Sequence, residues 1–444
     1  MSLEKNNNVQ PNSHSKHRHL TLGLFGFGCV GQGLYHVLDE TQGIKAEIKK
    51  ICVKNKNKSR PLPESLFTFQ KEEILNDPDI DVVIELIDDA DAAFDIVKTA
   101  LQNGKAVVTA NKKMLAEHLE EIYHLQQQFG KPVLYEGSVC GSIPIIRNLE
   151  EYYDNDLLTG IEGIFNGSTN YILTKVFEEK KSYGDALQKA QELGFAESDP
   201  SLDVKGFDPK FKLVIAIAHT FGVFVKPEDV INIGIDKISD LDLKFARDNH
   251  YTIKLVARAF KIQNRVYGFV APQFIESTHP LFAVRNEYNA VQLESAFAEK
   301  QLFVGKGAGS YPTGSAVLSD ISALTYDYQY EYKKLHQATN LQFSNRILVE
   351  VFVSFEKGIN ISISDFEEFE SGYASHGKQY MVGKVSLSKL HEWSSLDGVG
   401  IILAPDAKFI PQNKTASEEA FAFGVRELSH DRSPALLSPS PPAF

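Results

Sequence analysis

The short apolar run Leu20 to Phe25 ends in Gly26-Phe27-Gly28-Cys29-Val30-Gly31. No other stretch restricts the fold as much. A strand that stops at G-x-G-x-x-G and resumes as a helix leaves little freedom. The first glycine permits a tight turn, the second lets backbone approach a pyrophosphate, and the third lets the helix pack on the strand. The helix N-terminus then faces the phosphates. Val30, Leu34, Val37 and Leu38 keep helical spacing, which predicts a helix over Gln32 to Glu40. Gly26, Gly28, Cys29, Val30 and Gly31 are therefore candidate cofactor contacts. The bland alternative is a glycine turn that holds nothing.

The region that follows keeps the same rhythm. Strands are expected at Ile48 to Val53, Asp81 to Ile87, Ala106 to Thr109 and Pro132 to Tyr135, with a helix from Ala92 to Asn103 that stops at Gly104. Helices alternating with short apolar strands predict a parallel sheet with crossovers, an α/β unit. After about Asn148 the pattern changes. A strand at Ile161 to Phe165, helices at Tyr183 to Leu193 and Lys210 to Phe221, and strands at Val266 to Ala271 and Ala290 to Ala298 predict an α+β second unit. A helix from Thr313 to about Tyr326 follows. From Phe343, β runs at Arg346 to Phe355, Tyr380 to Leu387 and Gly398 to Leu403 predict a small C-terminal α/β appendix. The expected boundaries are 1–19 (disordered arm), 20–148, 149–312, 343–411 and 412–444 (disordered tail). The tail is Ser/Pro-rich from Ser433.

At 444 residues the chain has room for two or three such units. Its net charge of −12 argues against a broad nucleic-acid surface. No apolar run reaches the ~20 residues of a membrane span. Cys29, Cys52 and Cys140 have no metal-ligand spacing, and read as reduced thiols of a cytoplasmic protein. His14, His17 and His19 lie in the polar N-terminal arm, either as a metal site or, in the simpler reading, as solvated side chains.

Four motifs carry possible chemistry. After the second predicted strand, Lys54, Lys56, Lys58 and Arg60 come without an acid. An NAD reader would place Asp or Glu there, so Lys54 and Arg60 favour the 2′-phosphate of NADP over NAD. The other reading is a solvated basic loop. Thr109, Asn111 and Lys112 follow the fourth strand, where ligands of such sheets bind; alone, a loop lysine is usually solvated. The segment Gly194 to Lys212 holds Glu197, Asp199, Asp203 and Asp208 with three lysines. Asp208 reads as an N-cap with Pro209 at N1, and Lys212 stands one turn on. That is either a cap with a surface ion pair, or acids for an ammonium and a lysine for a carbonyl oxygen. Gly305, Gly307 and Gly309 form a second glycine loop, lining the cofactor or acting as a hinge.

The order of these motifs resembles homoserine dehydrogenase over about residues 20 to 340. The match includes Glu136-Gly137-Ser138-Val139-Cys140-Gly141-Ser142-Ile143-Pro144, Asn166-Gly167-Ser168-Thr169-Asn170 and Gly307-Ala308-Gly309-Ser310-Tyr311-Pro312-Thr313. The resemblance implies a Rossmann-type domain to which the chain returns at about 313–340, and a substrate domain that also forms a homodimer. It implies NAD(P)-dependent interconversion of L-aspartate 4-semialdehyde and L-homoserine, in threonine, methionine and isoleucine biosynthesis. Lys212 and Lys112 would work at the reacting oxygen, each lowering the other's pKa. Glu197 and Asp208 would hold the substrate's amino group, with Asn166, Gly167, Ser168 and Thr169 beside them. A monovalent cation, Na+, would be held by Glu136 and the carbonyls of Val139, Gly141 and Ile143. Where the family has a glycine pair after the third strand, this chain has Asp88 and Asp89. Phe195 stands where a tyrosine is frequent, and Ser142 where a glycine is common. The family's frequent C-terminal regulatory ACT domain is not recognisable. Two alternatives remain: another two-domain Rossmann dehydrogenase of an amino-acid or sugar aldehyde, and a non-catalytic cofactor-binding regulator. Four carboxylates around Lys212 suit neither a neutral sugar nor a silent fold.

Overall fold

The computed structural model describes residues 18–337, 340–374 and 377–412. The expected disorder of the tail, and of all but the last two residues of the arm, falls outside them. Six strands form the first sheet: β1 (Leu20–Phe25), β2 (Ala46–Cys52), β3 (Phe67–Thr68), β4 (Val82–Glu85), β5 (Ala106–Thr109) and β6 (Val133–Leu134). All pairs are parallel, in the order β3-β2-β1-β4-β5-β6. The order reverses between β1 and β4, and the crevice beyond their carboxyl ends is where such a sheet takes a ligand.

The glycine loop closes as its spacing requires. Gly26 has φ +92, and a Cβ there would stand 2.5 Å from the Leu86 carbonyl. Gly31 would bring one within 2.5 Å of the Gly26 carbonyl. Gly28 has nothing within 4 Å, so a side chain there would enter open space. Helix α1 (Cys29–Asp39) starts there, three residues before the predicted Gln32. The short α2 (Glu72–Leu75) and α3 (Ala90–Gln102) follow; Asp89 caps α3 by accepting from Ala92 N at 3.0 Å.

Helix α4 (Lys112–Phe129) is absent from the expectations above. Its signals are nevertheless in the chain: Asn111 accepts from Met114 N as N-cap, and Gly130 ends it in the left-handed region. Met114, Leu115, Leu119, Ile122 and Leu125 form its buried stripe.

After α5 (Ile145–Glu151) the chain builds a second sheet of twelve strands. β7 (Leu158–Ile164), β9 (Thr252–Ile262), β10 (Arg265–Ile275), β11 (Tyr288–Ser295) and β12 (Glu299–Lys306) form its first half, joined by antiparallel pairs. The two-residue β8 (Ile231–Asn232) and β13 (Gln342–Phe343) pair with β10. Helices α6 (Gly167–Glu178), α7 (Tyr183–Glu192), α8 (Ser201–Val204), α9 (Phe207–Phe221) and α10 (Asp240–Asp248) come from the intervening segments. Every residue of α9 from Asp208 onward is buried, so the helix forms the centre of the core rather than an amphipathic cover. His219 near its end shares a hydrogen bond with Tyr135 at 2.7 Å and pairs with Glu150, pinning α9 to both units.

Gly206 (φ +81) is the N-cap of α9, which corrects the expected cap at Asp208. Pro209 is the third helical residue, where its missing N–H costs nothing because first-turn N–H groups have no acceptor in the helix. That frees the Asp208 carboxylate from capping.

Helix α11 (Ser310–Leu324) lies back against α1. A Cβ on Gly33 would meet Ser310 O at 2.1 Å, and one on Gly314 would meet Gly33 at 2.7 Å. Finally β14 (Ile347–Glu356), β15 (Glu368–Ala374), β16 (Lys378–Ser386), α12 (Leu387–Ser394), β17 (Val399–Leu403) and β18 (Phe409–Pro411) form the C-terminal appendix. Its strand order β17-β14-β16-β15, antiparallel throughout, is that of a ferredoxin-like unit with a 3-10 turn where the first helix would stand. The appendix is not separate in hydrogen bonding: β17 pairs with β10 at Gln273 and Leu403.

Candidate active site

Two segments far apart in sequence meet at one carboxylate. Lys112 is the first residue of α4, and its Nζ lies 2.6 Å from Asp208 Oδ1. Lys212, one turn along α9, places Nζ 2.8 Å from Asp208 Oδ2. Lys212 also donates to Phe165 O at 2.7 Å. Asn166, the N-cap of α6, donates to Asp208 Oδ2 (2.9 Å) and to Asp203 Oδ1 (2.7 Å). Its own Oδ1 accepts from Thr169 N at 2.8 Å and from the Thr169 hydroxyl. Asn166 thus fixes Asp203, Asp208 and the start of α6 together.

The electrostatics follow from this packing. Asp208 is 4% exposed, and burial by itself would raise its pKa. Lys112 and then Lys212 outweigh burial and hold the carboxyl well below the usual range. Asp203 goes the other way: burial, and Asp208 beside it, push it up. Lys112 is raised, chiefly by Asp208, against an opposing effect of burial. The mutual lowering expected of two converging lysines is therefore corrected for Lys112, because Asp208 stands between them. An ammonium at a helix N-terminus is disfavoured by about 0.3–1 kcal/mol; Asp208 offsets that cost.

Both lysines border a cavity of about 220 Å³ that also touches Val30 of the glycine loop, Asn111, and Gly309 of the second loop. Gly309 (φ +120) is the N-cap of α11. Thr109 and Asn111 are not free to serve a ligand with every atom. The Thr109 hydroxyl donates to Glu85 Oε2 at 2.6 Å, while Asn111 donates to Ile87 O at 3.0 Å and caps α4. Their main effect is to aim Lys112. Glu85 was not anticipated. It is 0% exposed, and burial pushes its carboxyl up to about 7. Its signal was a lone acid closing the apolar run Val82-Val83-Ile84.

Other expected residues lie around this centre. Glu197 is exposed, near enough to raise the Lys112 pKa, and has no direct bond to the cluster among the described residues. The Ser168 hydroxyl donates to Phe195 O, and a Cβ on Gly167 would stand 2.6 Å from Glu287 O, so both are taken up in packing at the start of α6. At the end of β2, Lys54 is exposed. Arg60 folds back on Lys58 O (2.8 Å) and Asn55 O (2.6 Å), with its guanidinium 5.1 Å from the Phe67 ring centre.

Glu136, 3% exposed, caps α5: its two oxygens accept from Ile146 N (2.9 Å) and Arg147 N (2.8 Å). Its own N–H donates to Asp320 Oδ2 at 2.8 Å, and Arg147 pairs with Asp320 at 2.9 Å. Burial, then Asp320, pushes Glu136 up to about 8, and burial pushes Asp320 up to about 7. Fully ionised, this group has two carboxylates for one guanidinium. Beside it, Val139 and Ile143 are buried, and Cys140 (φ 56) and Gly141 (φ 54) are successive left-handed residues. Ile143 O already accepts from Ile145 N at 2.8 Å. With both acids ionised, this oxygen donor set would carry one surplus negative charge and suit a hard monovalent cation. The described residues hold no His/Cys/Asp/Glu cluster of the kind that binds a transition metal.

Residues 26–136 match the family model described as "Homoserine dehydrogenase, NAD binding domain", and residues 144–322 match "Homoserine dehydrogenase". The chain is 39% identical over 314 residues to the homoserine dehydrogenase of Bacillus subtilis, covering 69% of this chain and 72% of that protein. It is 35% identical over 361 residues to that of Helicobacter pylori, covering 78% and 85%. Among solved structures, a homoserine dehydrogenase from Thiobacillus denitrificans superimposes with a TM-score of 0.77 at 27% identity, over 87% of this chain and 98% of that one. A hyperthermophilic archaeal homoserine dehydrogenase in complex with NADPH gives 0.62 at 25% identity, over 70% and 99%.

Proposed function

Since the chain belongs to the homoserine dehydrogenase family, we propose that it interconverts L-aspartate 4-semialdehyde and L-homoserine with its own Lys212 and Lys112 at the reacting oxygen. The observation that carries this is the pair of lysines on the two oxygens of Asp208, bordering the same cavity as the glycine loop. The nicotinamide cofactor supplies the hydride in reduction and takes it in oxidation. An ammonium has three N–H donors. Lys212 spends two, on Phe165 O and Asp208, and keeps one for the substrate oxygen. It donates a proton as the aldehyde is reduced and accepts one in reverse. The substrate's ammonium has its place at Asp208 and Glu197. Reaching Asp208 Oδ1, it displaces Lys112, which then turns its charge to the same oxygen.

NADP is the preferred cofactor in this reading, with NAD second. The exposed Lys54, Lys56 and Lys58 favour it, although Arg60 is already engaged with its own loop. Na+ would neutralise the Glu136–Asp320–Arg147 group with the carbonyls of Val139 and Gly141, and Ile143 as a weaker contributor. We assign 20–148 with 313–340 to the cofactor domain, 149–312 to the substrate and dimerisation domain, and 343–411 to the appendix. A homodimer is favoured by the exposed Phe297, Leu302 and Val304 of the β11–β12 hairpin. No described helix is long and apolar enough to cross a membrane, and three unpaired cysteines favour the cytoplasm. Homoserine oxidation assayed with NADP+ and NAD+, each with and without Na+, tests the reading. Turnover with neither cofactor sinks it.

A further inference from the structure

The chain has 58 acidic side chains against 46 basic ones, so a buried lysine need not lack an acceptor. Lys105, Lys212, Lys254 and Lys334 are buried, and each donates to at least one oxygen. Lys210 differs. It is 8% exposed, and no oxygen of the described residues accepts from it; its ammonium lies 4.9 Å from the centre of the Phe207 ring. Burial lowers its pKa, opposed by the charge of Glu228.

Lys210 opens into a cavity of about 560 Å³, distinct from the one bordered by Lys112 and Lys212. One wall is the α8–α9 segment. Another is α12 and the start of β17, so the cavity lies between the substrate unit and the appendix. Lys237 holds that junction closed by donating to Ser394 O and Leu396 O, both at 2.7 Å. On its exposed rim stand Glu228 and Asp236, neither in a salt bridge among the described residues. The first turn of α9 adds its positive helix end to the Lys210 charge. Lys205, exposed and in no salt bridge among the described residues, also lines the mouth, and Lys237 there faces Asp397 at 3.8 Å, so the two free acids still outnumber the free cation of the rim. With a cation at depth, that arrangement is complementary to a molecule with the opposite one. A phosphate dianion would satisfy Lys210 but meet repulsion at the rim.

We propose that this cavity is a second binding site, for a small carboxylate that carries a cationic group at its other end. The carboxylate takes Lys210, and the cationic end takes Glu228 and Asp236. Lys210 lies two residues from Asp208 and from Lys212, about 200° around the helix from each. The site is therefore back to back with the catalytic cluster, sharing α9 and none of its functional side chains.

Calorimetric titration of the full chain with 4-aminobutyrate, butyrate and inorganic phosphate tests this. The zwitterion is expected to saturate at least tenfold more tightly than butyrate or phosphate. Lys210→Met should abolish the binding while homoserine turnover persists. Should that variant fold poorly, Ser395→Trp narrows the cavity from the exposed end of α12 and should weaken binding at least tenfold. Preference for phosphate, binding unchanged in Lys210→Met or Ser395→Trp, or no saturable binding of 4-aminobutyrate each overturns the proposal.

Discussion

Glu85 and Asp208 are both hidden from solvent, one at the end of β4 in the parallel sheet and one in α9 of the second unit, yet burial has opposite outcomes for them. Among the described residues Glu85 has only the Thr109 hydroxyl and the Ile87 N–H as hydrogen-bond partners, and its pKa rises to about 7. Asp208 has two ammonium groups and an amide, and stays ionised far below neutrality. Desolvation penalises either charge alike; the partners decide which survives it. The glycine-loop side is thus built from backbone shape with a neutralisable acid behind it. The α9 side is built from fixed charge.

The largest expected effect comes from pushing Asp208 toward the condition of Glu85. Lys212→Ala removes one of its two cations and the proposed proton donor, and kcat should fall about 10³-fold, within the range for a lost general acid–base. Stopped-flow oxidation of NADPH with aspartate semialdehyde reads it, and turnover within tenfold of wild type would remove Lys212 from the chemistry.

Next is the pH response of Glu85. Its folded pKa is raised, so between about 4.5 and 7 the folded state keeps a proton that the unfolded state releases. Stability due to this group falls as pH rises through that window, by up to about 3 kcal/mol, and is level above it. Glu85→Gln should remove that slope from Tm measured against pH. Asp208 has the reverse sign: its contribution is present above the unfolded carboxylate value near 3.9 and is lost only as pH falls through the depressed folded value.

Asp208→Asn keeps the shape and deletes the charge. KM for homoserine should rise about 100-fold, equivalent to ~2.7 kcal/mol, as expected when one member of a buried charge pair is lost. Unchanged KM would mean that the substrate's ammonium binds elsewhere.

The smallest effects separate two glycines of one loop. Gly28→Ala meets no protein atom, so Tm should hold while cofactor Kd rises about tenfold. Gly31→Ala forces a methyl against the Gly26 carbonyl, costing about 1–3 kcal/mol, and Tm should drop by several degrees. Equal Tm losses in both would deny that Gly28 faces a ligand.

Much of this was legible in the chain because it is local. Gly26, Gly28 and Gly31 declare a turn whose geometry depends on nearest neighbours, and β1 and β5 begin and end as their apolar runs predict. Asp208 and Lys212 pair because one helical turn separates them. The basic run from Lys54 was equally visible, but the fold-back of Arg60 onto Asn55 and Lys58 was not, since a guanidinium's choice of acceptor depends on loop conformation.

Sequence alone therefore settled the strand–turn–helix opening, the parallel sheet behind it and the family. Tertiary structure decided which charges share an environment. It drew Lys112 across nearly a hundred positions onto Asp208, left Glu85 without a cation partner among the described residues, moved the cap of α9 to Gly206, and set Lys210 against the Phe207 ring. Backbone sterics act over a few residues and can be read in order along the chain. Desolvation and ion pairing act through space, and their balance exists only once the chain is packed.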